Sequence, residues 1–77
     1  MNYFVLTSLG KQAIPMLKDE NKDAETAILE LLRRGSATQE QIADNTLVSQ
    51  SEAYLILMRL KREGWVKERR SKGTLLP

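Results

Sequence analysis

The sequence contains no cysteine and no histidine. These absences exclude disulfides, thiolate nucleophiles, imidazole bases and the usual zinc sites built from Cys or His. Aspartate, glutamate, lysine and tyrosine remain as possible acids or bases, but no paired carboxylates fall on an apolar stretch that would shift a pKa. We therefore do not expect an enzyme, and we expect neither a metal nor a cofactor.

Long apolar runs are also missing. The longest, Tyr54 to Met58, is far shorter than the roughly 20 residues that a membrane-spanning helix needs. The first ten residues lack the basic start, apolar centre and small-residue cleavage site of a secretion signal. We expect a chain that does not enter a membrane and stays in the cytoplasm.

The net charge is only +2, but it is unevenly distributed. Residues 59 to 72 hold seven basic and two acidic residues, a net +5, which leaves −3 for the rest of the chain. A basic C-terminal third suits a polyanion held at one edge of the molecule. A solvated face rich in lysine and arginine is the alternative that charge alone leaves open.

The length fits one small domain, expected over residues 1–77. Residues 1–22 are predicted to form an N-terminal strand, a short helix and a charged linker, "KDENKD", that runs into the main body at 23–77. "YFVLT" is rich in β-formers, and Ser8 is a candidate cap for a helix from Leu9. Pro15 is expected to break or kink that helix.

Helical periodicity is clearest in the centre. A helix is predicted between Asp23, its candidate cap, and Gly35, where apolar residues follow one buried stripe: Ala24, Ala27, Ile28, Leu31 and Leu32. Capping boxes, Thr38 with Gln41 and Ser49 with Glu52, predict the starts of two further helices. Their expected inner residues are Ile42 and Ala43 in the first, and Ala53, Ile56, Leu57 and Leu60 in the second.

The C-terminal third is predicted to be a basic hairpin. Gly64 ends the last helix, and "WVKER" has the alternation of a strand. "RSKG" carries turn residues, and "TLL" is predicted to return as a second strand.

This order of elements is that of a winged helix-turn-helix. From Asp23 to Gly73 the chain resembles the MarR-like and ArsR-like regulators, most specifically in "ATQEQIA" and "VSQSEAYLILMRLKREGWV". The resemblance implies an α+β, mostly α fold: a winged helix-turn-helix with a three-helix core, a short C-terminal β-hairpin wing and an N-terminal strand with a short helix.

The resemblance also implies a transcription regulator that binds duplex DNA, and we expect it to work as a homodimer or with a protein partner. The third helix would enter the major groove, and the wing would touch phosphate or the minor groove. Carried over by position, the expected DNA-binding residues are Thr38, Gln39, Ser49, Gln50, Ser51, Tyr54, Arg59, Arg62, Lys67, Arg69, Arg70 and Lys72.

The outer face of the third helix departs from this family. Helical geometry places Tyr54, Leu55 and Met58 opposite the core stripe, together with Ser51 and Arg62. The resemblance implies polar or basic residues at positions 55 and 58, able to hydrogen-bond to bases, whereas Leu and Met can only touch thymine methyl groups. Tyr54 can stack or donate one hydroxyl.

An exposed apolar patch of this kind is seldom left bare. The sequence leaves open what covers this patch: the N-terminal segment, a protein partner or second copy of the chain, or DNA. The second gives the alternative function, a winged-helix protein-interaction or dimerisation module anchored by Tyr54, Leu55 and Met58.

Residues 19 to 30 match the spacing of a calcium-binding loop, with Asp19, Asn21 and Asp23 followed by Glu30. Ala24 stands where the turn of that loop needs glycine, and Glu30 falls in a predicted helix. We interpret the stretch as a linker and an acidic first helical turn.

Overall fold

A computed structural model describes residues 2–70 of the chain. The elements in chain order are β1 (Asn2–Leu6), α1 (Ser8–Asp19), α2 (Asp23–Arg34), α3 (Gln39–Thr46), α4 (Gln50–Arg62) and β2 (Val66–Arg70). The described part is mostly helical, with four helices and a two-stranded antiparallel sheet, and is compatible with a small winged helix. Within it, no helix has the length and apolar character needed to cross a bilayer.

The predicted N-terminal strand is confirmed, and it is bonded on both edges. One edge pairs with β2, where Tyr3 lies opposite Arg69. On the other edge the Phe4 amide donates to the Ala37 carbonyl at 2.7 Å, and the Ala37 amide donates to the Phe4 carbonyl at 3.2 Å. Phe4 is 3% exposed, so β1 anchors the sheet to the core.

α1 is a 12-residue helix and not the short one predicted. Its cap is Thr7, one residue before the expected Ser8, and the Thr7 hydroxyl oxygen accepts a hydrogen bond from the Gly10 amide at 3.0 Å. The same hydroxyl donates to the Gly64 carbonyl at 2.6 Å. Thr7 therefore joins the start of α1 to the residues that follow α4.

Pro15 was predicted to break or kink this helix, and a break is wrong, because α1 continues through Pro15 to Asp19. Proline removes one backbone hydrogen bond from a helix interior. Burial of Ala13, Ile14 and Leu17 on one side of α1 offsets that loss, since packing supplies most of the stability of a helix in a protein. The charged linker is consequently shorter than predicted and comprises only residues 20–22.

α2 is the central helix, and it ends at Gly35 as predicted. Its N-cap is Lys22 and not Asp23, and no side chain within residues 2–70 completes that cap. α2 packs against α1 on one side and against α3 and β1 elsewhere, so its buried surface is wider than a single stripe. This explains why Leu29, absent from the predicted stripe, is fully buried.

The capping boxes of α3 and α4 are confirmed, and Ile42, Ala43, Ala53, Leu57 and Leu60 are buried as predicted, whereas Ile56 is only partly buried. Ala24, Ala27 and Leu31 of α2 are also only partly buried. The strand expected in "WVKER" is confirmed as β2. The predicted turn and the returning strand "TLL" lie outside the described residues.

Candidate nucleic-acid interface

A three-residue turn joins α3 to α4. Its first residue, Leu47, has left-handed backbone geometry with φ of 61° and is 100% exposed, while Val48 packs against the core. At the heads of the two helices, Gln39 Nε2 donates to the Gln50 carbonyl at 3.2 Å. This hydrogen bond holds the two helix heads side by side.

Two of the expected DNA-binding residues, Thr38 and Ser49, serve as helix caps. The Thr38 hydroxyl oxygen accepts from the Gln41 amide at 3.2 Å, and the Ser49 hydroxyl oxygen accepts from the Glu52 amide at 3.1 Å. Their side chains fix where α3 and α4 begin. Any contact with a ligand would therefore add to this structural role.

The outer face of α4 is exposed at its N-terminal half. Tyr54 is 49% exposed and Leu55 is 64% exposed, and Gln50 and Ser51 beside them are also exposed. Met58, one turn further on, is partly buried and packs against the core. The N-terminal segment thus leaves Tyr54 and Leu55 largely uncovered.

A groove of about 510 Å³ lies between α4 and the sheet. Phe4 and Glu68 line it on the sheet side, and Tyr54 and Met58 line it on the α4 side. The Glu68 carboxylate accepts from Lys61 Nζ at 2.9 Å and from Asn2 Nδ2 at 2.6 Å. These two hydrogen bonds hold the pKa of Glu68 below its usual value, and the bond from Lys61 has the larger effect.

The expected cations of α4 differ in their surroundings. Arg59 forms an ion pair with Glu25 of α2, at 2.8 Å, on the side of α4 that faces away from the sheet. Arg62 lies on the same face of α4 as Leu55 and Met58, and no ion pair holds it within residues 2–70. Among the described residues, Arg62 is therefore the cation of α4 that has no ion pair.

The cations of β2 fall on two faces of the strand. Since side chains alternate along a strand, Arg70 shares a face with Glu68, which lines the groove beside α4. Lys67 and Arg69 point to the opposite face, where Val5 and Tyr3 are their cross-strand neighbours. No ion pair involves any of these three cations in the described part of the chain, and Lys72 lies outside that part.

Sequence reasoning missed the acidic partners of this surface. Glu25 neutralises Arg59, and Glu68, which also accepts a hydrogen bond from Asn2, pairs with Lys61. Arg59 and Glu25 are 34 residues apart and Asn2 and Glu68 are 66 residues apart, so no local pattern could reveal these two contacts, whereas Lys61 and Glu68 are only 7 residues apart. The division of the β2 cations between two faces, in contrast, follows from strand alternation and was predictable.

The segment that matches a calcium loop by spacing is helical from Asp23 onward. Glu30, which would close such a loop, lies within α2 and forms ion pairs with Lys18 at 3.0 Å and with Arg33 at 3.7 Å. Its hydrogen bond with Lys18 is the main cause of a pKa below the usual glutamate value.

Comparison with known proteins gives one family match. The family described as "Sugar-specific transcriptional regulator TrmB" matches residues 22–76. No curated protein and no solved structure matches the chain. The match supports a DNA-binding transcription regulator, which is not an enzyme class, and it does not single out the MarR-like or ArsR-like regulators. Because it covers well over half of the 77 residues, the chain belongs to the TrmB family of transcriptional regulators.

Proposed function

We propose that this chain is a winged helix-turn-helix protein that binds duplex DNA with α4 in the major groove and uses the cations around that helix to hold the phosphates. The observation that carries the proposal is the combination of an exposed α4 face with two flanking cations, Arg62 and Arg70, that form no ion pair within the described residues. Family membership supports it.

The size of α4 and its exposure fit this role. The major groove is about 12 Å wide and admits one α-helix, whose N-terminal residues contact base edges. The exposed N-terminal half of α4 carries Gln50, Ser51, Tyr54 and Leu55, and Gln39 of α3 is bonded beside them. The caps Thr38 and Ser49 mark helix N-termini, whose backbone amides favour phosphate.

Phosphate contacts are assigned to Arg62 at the end of α4 and to Arg70 at the end of β2, on the strand face that it shares with Glu68. Lys67 and Arg69 lie on the other face of β2. They provide a second row of cations that would reach the DNA phosphates at the edge of the protein–DNA contact. Arg59 contributes less, because Glu25 already neutralises it. Lys72 belongs to the proposed wing on its sequence position alone.

The proposal includes a homodimer, since two recognition helices that read half-sites one helical turn apart explain how small regulators gain affinity. The rival function is a protein-interaction module anchored by Tyr54, Leu55 and Met58, and the exposure of Tyr54 and Leu55 favours it. Sedimentation velocity with and without DNA distinguishes the two: a rival interface on α4 would be blocked by DNA, whereas a DNA-binding dimer would persist on it.

The direct test is a titration with a mixed-sequence duplex at ~50 and ~200 mM salt, because counterion release makes phosphate binding fall steeply with salt. Replacing Arg62 and Arg70 together by Gln should reduce the slope of log K against log salt by roughly 2, at about 0.9 per phosphate contact.

A matched control removes two charges elsewhere. Lys11 and Arg33 border a depression between α1 and α2, and their joint replacement by Gln should leave the slope almost unchanged. Absence of binding at ~50 mM salt, or an equal loss of slope in the control, contradicts the proposal.

A further inference from the structure

A shallow depression of about 390 Å³ beside the head of α4 is lined by five residues of two helices. These are Gln39, Gln50, Ser51, Tyr54 and Leu55, called here the reading surface. None of the five is charged. The chemistry of this surface therefore differs from that of the cations that flank it.

The reading surface lacks the side chains that read guanine best. Guanine offers two acceptors, O6 and N7, which Arg or Lys meets most often. The nearest cations on the exposed side of α4 are Arg59, which Glu25 holds at 2.8 Å, and Arg62. Arg62 is seven residues beyond Leu55, roughly 10 Å along the helix axis, so it lies outside this surface.

Adenine, in contrast, has a matching partner. An amide side chain can pair with adenine N6 and N7 through one donor and one acceptor. The Gln50 side chain makes no hydrogen bond within residues 2–70, while its backbone carbonyl accepts from Gln39 at 3.2 Å. Gln39 thus positions Gln50, whose side-chain amide has no partner among residues 2–70 and can contact a base.

The apolar residues of the surface fit the other half of the same base pair. In the major groove thymine presents a C5 methyl group, the one apolar feature of the natural base edges. Leu55 is 64% exposed and Tyr54 is 49% exposed. Tyr54 follows Gln50 by one helical turn, so an amide and an apolar side chain lie together on α4 as N6 and the methyl group do on an A·T pair.

We infer that the reading surface selects A·T base pairs, with Gln50 contacting adenine and with Leu55 and Tyr54 contacting the thymine methyl group. This inference rests on the proposed function, because it requires α4 to enter the major groove.

The first experiment compares the full chain on two duplexes of equal length, one with A·T and one with G·C pairs at the centre, at a single salt concentration. Loss of a bidentate contact corresponds to a roughly 5- to 150-fold change in affinity. We expect the A·T duplex to bind more tightly by a factor in that range.

The second experiment alters single atoms of the A·T duplex. Replacing thymine by deoxyuridine removes the methyl group and should weaken binding about fourfold, the value of one buried methyl. Replacing adenine by 7-deazaadenine removes N7 and should weaken binding by breaking the contact with Gln50.

Two leucine variants link these effects to the surface. In Leu55→Ala the difference in affinity between the thymine and deoxyuridine duplexes should shrink, because only Tyr54 would still contact the methyl group. Leu9→Ala is the matched control, since Leu9 is another leucine, 58% exposed, on α1. It should preserve the fourfold difference.

The outcomes separate the inference from the proposed function. Equal, salt-dependent affinity for the A·T and G·C duplexes overturns the inference and leaves the DNA-binding proposal standing. An A·T preference that survives both base replacements overturns it as well, because duplex shape would then be its cause. The inference is also overturned if Leu55→Ala changes the oligomeric state but keeps the ratio of affinities for the thymine and deoxyuridine duplexes. The surface would then be a protein interface. If the chain binds neither duplex at ~50 mM salt, both the inference and the DNA-binding proposal are wrong.

Discussion

The Glu25 carboxylate lies 2.8 Å from the guanidinium of Arg59, and this ion pair joins α2 to α4 across 34 residues of sequence. The Glu25 side chain is only 13% exposed, whereas that of Arg59 is 57% exposed. Glu25 is therefore the more buried partner, and it reduces the positive charge that Arg59 can offer to a phosphate.

The first prediction follows from this pair. Glu25→Gln should release Arg59 to a phosphate, tighten duplex binding and steepen the salt slope by up to about 0.9, the contribution of one contact. Glu20→Gln removes an exposed acid from the α1–α2 connection and serves as the control. Titrations at several salt concentrations measure both, and an equal change in the control would show that net charge alone is responsible.

The second prediction concerns the contact between α1 and the residues after α4. A β-carbon at Gly10 would overlap the Trp65 carbonyl oxygen, which is backbone and cannot swing aside. Alanine favours helix over glycine by about 1 kcal/mol, but overpacking of this kind costs about 1–3 kcal/mol. Gly10→Ala should therefore destabilise the domain in chemical denaturation.

Gly35 provides the matched control for that variant. It has an extended backbone with φ of 164°, and within residues 2–70 no neighbouring atom lies within 4 Å of the position that a β-carbon would take there. Gly35→Ala should be neutral or stabilising by up to about 1 kcal/mol, because it restricts the unfolded chain. If both variants lower the unfolding midpoint equally, close approach at Gly10 is not the cause.

The elements of the fold that depend on local chemistry were predictable. The capping boxes of Thr38 with Gln41 and Ser49 with Glu52 each span three residues, and both form as expected. The position of β1 was not predictable in the same way, because pairing Asn2 with Arg70 depends on where four intervening helices bring the two ends of the chain. The same holds for α1, whose burial outweighs the effect of Pro15.

The same distinction between local sequence and tertiary packing applies to the candidate site. Exposure of Tyr54 and Leu55 follows from helical periodicity, which places them opposite the core. The greater burial of Met58 does not, because it depends on contact with the core beside the sheet. The pairing of Arg59 with Glu25 likewise depends on how α2 and α4 pack, and sequence spacing carries no sign of it.

The third prediction concerns Leu47. Its left-handed backbone, with φ of 61°, costs an L-residue about 1–2 kcal/mol. Its side chain is 100% exposed and contributes no packing. Leu47→Gly should relieve that strain and, after the extra freedom of glycine in the unfolded chain is counted, stabilise the domain by up to about 1 kcal/mol.

Leu47→Ala is the control for the backbone explanation, because it shortens the side chain but keeps the β-carbon. It should change stability by less than ~0.5 kcal/mol, as most surface substitutions do. An equal gain in both variants, measured by thermal or denaturant melts, would attribute the effect to the exposed leucine side chain and not to φ.

The last prediction concerns pH and the carboxylate of Glu68. Its hydrogen bonds with Lys61 and Asn2 lower its pKa in the folded chain, so the folded state favours the ionised form. The stability that this gives is present above the unfolded pKa of about 4.3 and is lost as pH falls through the folded pKa. The free energy of unfolding should thus decline as pH drops below about 5, with Glu30 and its partner Lys18 adding to the same trend.

Glu68→Gln should make the decline shallower, whereas Glu63→Gln, which changes an exposed acid without an ion pair in residues 2–70, should leave the decline unchanged. Denaturant melts between about pH 3 and pH 6 measure the slopes, and parallel curves for Glu68→Gln and the unmodified chain would show that the contacts of Glu68 with Lys61 and Asn2 do not stabilise the fold.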